Sequence, residues 1–119
     1  MTNAILADTN IISEIMRPRP DPAVATWFRG LSGVSISIIT VEEIISGLRR
    51  KQFLEKEAWF RRFIAQAVQV LPLDAESAIW TGEMRGRLAA AGTVVHQADA
   101  FIAATAWRHG LVLSLIHIS

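Results

Sequence analysis

The 119-residue sequence contains no cysteine. That excludes a disulfide framework and a thiolate metal site, and leaves carboxylate oxygen and imidazole as the ligands available to a metal. Such ligands suit a hard cation, magnesium or manganese. Long hydrophobic runs are absent too, because polar residues interrupt every apolar segment well before the roughly 18 residues that a membrane span needs. No basic stretch followed by a long apolar one opens the chain, so the expected location is the cytoplasm, with no membrane association. Neither charge sign is in excess, with 12 Lys and Arg against 11 Asp and Glu, and charge alone does not point to nucleic acid. Lysine is scarce: every basic residue except Lys51 and Lys56 is arginine, which suits bidentate contacts to phosphate or carboxylate.

What is present fits one domain spanning residues 1–119, since a chain this short builds one core and not two. A hydrophobic content of 51% with four Trp exceeds what one small core hides, so a homodimer or partner face is expected. Arg17-Pro18-Arg19-Pro20-Asp21-Pro22 is the clearest break, because its prolines forbid helix continuation while Pro22 suits a first helical turn. The patterning predicts strands at residues 4–7, 34–39, 68–73 and 111–115. Helices are expected at 10–16, 23–31, 40–50, 54–67, 75–91 and 97–109, with Gly92 and Gly110 as stops. Strands alternating with helices, the strands nearly continuously apolar, predict an α/β fold: a three-layer α/β/α sandwich around a parallel sheet. Ligands of such sheets bind beyond the carboxyl ends of the strands, where the strand order reverses.

Three carboxylates fall in equivalent places of this pattern. Asp8 follows the first strand, Glu43 is expected in the first turn of the helix after the second, and Asp99 in the first turn of the last helix. A parallel sheet would carry all three to one edge, where close anions repel unless a divalent cation neutralises them. Each also has a purely structural reading: Asp8 as a helix cap, Thr40 with Glu43 as a capping box, and Asp99 as the complement of a helix dipole. An aspartyl-phosphate protein is a further alternative. It ranks lower, because Asn10 stands where phosphatases of that kind want a second Asp, and Lys51 and Lys56 are badly placed to bind the phosphate.

The stretches AILADTNIISEIMRP, ITVEEIISGLRR and HQADAFIAATAWRHG resemble the three signature segments of PIN-domain ribonucleases, specifically the VapC and FitB type toxins of bacterial toxin-antitoxin pairs. The likeness runs from about residue 4 to 113. It implies that Asp8, Glu43 and Asp99 are the metal-binding, catalytic acids, with Thr9 and Asn10 as flanking polar residues and Glu42 only a neighbour. It further implies a Mg²⁺ or Mn²⁺ cofactor, cleavage of single-stranded or loop RNA to leave a 5′-phosphate, a VapB- or FitA-like antitoxin partner and a homodimer. Family members usually carry a fourth acid and a fifth strand beyond this point. Here the residues after Leu113 read SLIHIS with no acid after Asp99, so 114–119 are read as an atypical tail, four strands are expected, and weak metal binding with reduced activity follows. A binding module without catalysis is the alternative function.

His96, His109 and His117 are read as structural. Arg49, Arg50, Lys51, Lys56, Arg61 and Arg62, interleaved with Phe53, Trp59, Phe60 and Phe63, are read first as a solvated basic face with aromatics packed in the core or a partner groove, and second as an RNA contact. The resemblance implies that this helical pair helps clamp the antitoxin.

Overall fold

The computed structural model describes residues 5–114. Within them the chain forms β1 (Ile5–Ala7), α1 (Thr9–Ile15), α2 (Pro22–Arg29), β2 (Ser35–Ser37), α3 (Ile38–Lys51), α4 (Leu54–Gln66), β3 (Gln69–Leu71), α5 (Ala75–Ala90), α6 (Gln97–His109) and β4 (Val112–Ser114). The strands form one sheet in the order β3-β2-β1-β4. Every pairing is parallel, with Leu6 beside Ser35 and Leu113, and Ile36 beside Val70. The predicted α/β sandwich with four strands is therefore present; Ala4, Leu115 and the expected apolar edge beyond it, including Ile116 to Ile118, lie outside the described residues.

Each strand is only three residues long, so successive side chains supply the two faces of the sheet one at a time. Ala7 and Ile36 face one core, where Ile11 and Ile12 of α1, Ile44 of α3 and Phe60 of α4 meet them. Leu6 and Leu71 face the other, against Ile102 and Ala106 of α6. Helices thus cover both faces, and α5 packs outside α6 with Trp80 stacked on Trp107 at 5.4 Å. Burying a side chain such as the fully enclosed Phe60 contributes about 1.5–3 kcal/mol.

Ser35 and Ser37 are as buried as Ile36 between them. They face α6, whose Ala100, Ala104 and Ala106 are small, and Thr105 of that helix donates to the Ser37 hydroxyl at 3.1 Å. The second strand is shorter than its pattern predicts. Ile38 and Ile39 belong to α3, because the Ser37 hydroxyl accepts from the Ile39 N–H at 3.1 Å and caps the helix three residues before Thr40. Thr40 is consequently not a cap, and the capping box with Glu43 does not form: Thr40 is a fully buried residue inside the helix and Glu43 lies in its second turn. Their spacing of three instead puts both on one helical face.

Other boundaries follow their local chemistry. Asp21 caps α2, accepting from Ala23 N–H at 2.9 Å, with Pro22 in the first turn. Gly110 ends α6 at φ 66°, a left-handed conformation that glycine adopts without a Cβ penalty. Glu57, almost wholly buried, ties α3 to α4: Arg49 reaches both its carboxylate oxygens at 2.9 and 2.7 Å, and Arg61 adds a bond at 3.1 Å.

Candidate active site

The chain runs from β1 outward to β2 and β3, then returns to place β4 on the other side of β1. The reversal of strand order therefore lies between β1 and β4, and Asp8 is the first residue beyond β1 at that point. Its N–H extends the sheet ladder to the carbonyl of Ser114 at 3.2 Å, and its Oδ1 accepts from the Ile11 N–H at 3.0 Å. Asp8 is thus a genuine helix cap. It is also only 8% exposed. Burial raises its pKa above the usual 3.8; the N–H groups of Ile11 and Asn10 oppose that shift, and the negative charge of Asp99 adds to it.

Asp99 stands in the first turn of α6, exposed, and close enough to Asp8 to act on it electrostatically. Glu43 is half-buried on α3 and is reached from α1: the Thr9 hydroxyl donates to Glu43 Oε1 at 2.7 Å and lies 3.1 Å from the hydroxyl of Thr40. Thr40, read from the sequence as a cap, in fact backs Thr9 from within α3; the signal that could have revealed it was its helical spacing to Glu43. Asn10 meets Asp8 through its backbone N–H, while its side chain is exposed. His96 precedes α6 without making a side-chain cap bond, and exposed His109 sits in the last turn of α6; His117 lies outside the described residues.

These side chains offer a divalent cation hard oxygen donors, and the buried Asp8 and the exposed Asp99 repel each other, a cost that a cation would offset. The donor chemistry fits Mg²⁺ or Mn²⁺. The arrangement is not a closed cage: among the described residues no group of three or more His, Asp or Glu side chains is close enough to hold one ion. Asp8 is linked to Asp99 through charge and Glu43 to α1 through Thr9, so the acids share one edge of the sheet as two pairs of contacts.

Residues 5–115 match the PIN domain family. The chain is a PIN domain. This PIN domain is 31% identical to a VapC ribonuclease of Sinorhizobium fredii, with 92% of this chain and 84% of that protein covered. It is 33% identical to the toxin FitB of Neisseria gonorrhoeae, with 92% and 85% covered. Its structure is similar to that of FitAcB from Neisseria gonorrhoeae, with a TM-score of 0.76 at 32% identity over 92% of this chain and 84% of the other. It is similar again to DNA-bound VapBC from Salmonella typhimurium, with a TM-score of 0.79 at 31% identity over 94% and 85%. The PIN domain therefore belongs with the VapC and FitB toxins, as the resemblance of its three signature stretches implies.

Proposed function

We propose that this PIN domain is the ribonuclease toxin of a type II toxin-antitoxin module, hydrolysing RNA phosphodiester bonds with Mg²⁺ or Mn²⁺ held by Asp8, Glu43 and Asp99. The observation that carries the reading is Asp8 itself, a carboxylate buried at the reversal of strand order and within electrostatic reach of Asp99, where a bound cation would offset the cost of both charges. A bound divalent ion supplies an acidified water and neutralises charge on the scissile phosphate. The chain's own residues do the positioning. The Ile11 N–H fixes the Asp8 carboxylate, the Thr9 hydroxyl fixes Glu43, and Thr40 backs Thr9. Asn10 flanks Asp8 on the exposed side.

The relatives solved as FitAcB and VapBC assemblies support a VapB- or FitA-like antitoxin as partner, and the proposal extends to a homodimer acting in the cytoplasm. No described helix is long and apolar enough to cross a membrane. The absence of a ready-made three-acid cluster among the described residues favours one other reading: a weakly active or non-catalytic domain whose role is to bind its partner.

Cleavage of a mixed RNA pool by the purified chain with Mn²⁺ separates the two. The ribonuclease reading expects cutting that EDTA abolishes and that Asp8→Asn reduces at least a hundredfold. Full activity in Asp8→Asn would leave Asp8 as a helix cap alone, and an inert folded wild type would leave the binding module.

A further inference from the structure

A cleft of about 360 Å³ opens beside Thr9 and Glu43, between α1 and the junction of α3 with α4. Its volume falls in the range of small-ligand pockets, which begins at roughly 300 Å³. Its floor is apolar, with Met16 and Leu48, and its rim is cationic, with Arg17, Lys51 and Lys56. Arg17 is engaged by Glu14 at 3.2 Å, and the second oxygen of that carboxylate accepts from the Asp21 N–H at 2.8 Å. Neither lysine, by contrast, is ion-paired among the described residues. Both lie over one aromatic ring: Lys56 Nζ is 4.9 Å and Lys51 Nζ 5.9 Å from the centre of Phe53, which is 43% exposed. Gln52, in the left-handed region at φ 59°, turns the chain so that Phe53 stands at this rim.

The basic and aromatic run of residues 49–63 therefore divides by role. Arg49 and Arg61 are spent on Glu57. Phe60 is buried, and Phe63 stacks with Trp59 and joins the core. Lys51, Phe53 and Lys56 are left facing the same opening as Thr9 and Glu43. Two ammonium groups without an ion-pair partner among the described residues supply charge for a phosphate, and the exposed ring they now cover is opened to a neighbouring base when they turn to that phosphate. We infer that this cleft is a subsite for the RNA nucleotide next to the one being cut, with Phe53 as the stacking platform and Lys51 and Lys56 as phosphate contacts. The inference rests on the ribonuclease proposal above and names where its substrate lies.

Gly47 provides a test that leaves every charge in place. It lines the cleft, and a Cβ added there meets nothing within 4 Å, so Gly47→Leu starts into open space and narrows the cleft while replacing glycine by a better helix former. Binding of a labelled, mixed-sequence single-stranded RNA decamer is measured by fluorescence anisotropy, in EDTA and on an Asp8→Asn background. Gly47→Leu and Phe53→Leu are each expected to weaken binding about tenfold. The double variant Lys51→Gln, Lys56→Gln is expected to weaken it similarly and to flatten the dependence of log K on log salt by about 1.4, the loss of two single-strand phosphate contacts. The control pair Arg50→Gln, Arg62→Gln, outside the cleft, is expected to change binding less than twofold. Unchanged binding in the folded cleft variants, or an equal loss in the control pair, would overturn the subsite, as would displacement of the RNA by an equimolar decapeptide of glutamate, which assigns the cleft to a protein. Because this assay needs no cleavage, RNA held in the cleft of a chain that cuts nothing would remove the nuclease and keep the subsite. Metal-dependent cutting with a KM unmoved by Gly47→Leu would do the reverse.

Discussion

Asp8 performs two jobs that different substitutions separate. Asparagine caps helices as well as aspartate does, so Asp8→Asn keeps the bond to the Ile11 N–H while removing the charge. The folded pKa of Asp8 is raised, which means that the fold accommodates the neutral form better than the ion. Stability from this group is full below its unfolded value of 3.8 and is lost as pH climbs through the raised folded value. At pH 7 without metal, Asp8→Asn is therefore expected to raise the Tm, and thermal melts below pH 3.8 are expected to show the gain disappear. Asp8→Ala removes the cap as well, at a cost of about 0.5–2 kcal/mol, and is expected to melt below Asp8→Asn at every pH. A Tm for Asp8→Asn below wild type at pH 7 would refute the desolvation argument. The sequence made Asp8 visible because an acid between an apolar strand and a helix has few reasons to be there. Thr40 was misread because Ser37, three residues earlier, is an equally good cap, and only the packing of Ser37 under Thr105 decides between them.

At the scale of elements, local chemistry and sequence reading agree wherever a backbone conformation leaves no choice. Gly110 stops α6 as expected, and Pro22 opens α2. They diverge where two elements meet. On α4 the small apolar Ala58 is exposed, while charged Glu57 beside it is enclosed because Arg49 comes to it from α3. A contact across eight residues and a helix junction leaves no periodic trace. The hydrogen bonds from Arg49, followed by those from Arg61, hold the Glu57 pKa down at about 2 from a usual 4.5. Its contribution to stability is present above 4.5 and is lost as pH falls toward 2. Glu57→Gln is accordingly expected to lower the denaturant midpoint at pH 7 and to match wild type near pH 2. Equal midpoints at pH 7 would show that the two arginines are merely solvated there.

For the whole molecule, the sheet order was partly legible: alternating strands and helices announced a parallel sheet, but nothing local revealed that β4 would join β1 opposite β2. The same limit applied to the site, since Asp8, Glu43 and Asp99 share an edge only once that order exists. The high apolar content reappears as exposed side chains on several faces, among them Trp27 and Trp59, Ile79 and Trp107, and Val112 on the edge strand. Covering such faces in a homodimer makes folding depend on protein concentration. The Tm is expected to rise across a hundredfold concentration series, with sedimentation reporting a mass above 13.1 kDa; a constant Tm at monomer mass would mean that a different partner covers them.

The hydrogen bond from the Asp8 N–H to the Ser114 carbonyl makes the backbone of the buried acid the last rung joining β1 to β4. The exchange of that one amide with solvent deuterium is therefore a direct gauge of whether the edge strand is seated: whatever loosens β4 unclamps the carboxylate in the same event, so the lifetime of a single proton times the integrity of the site.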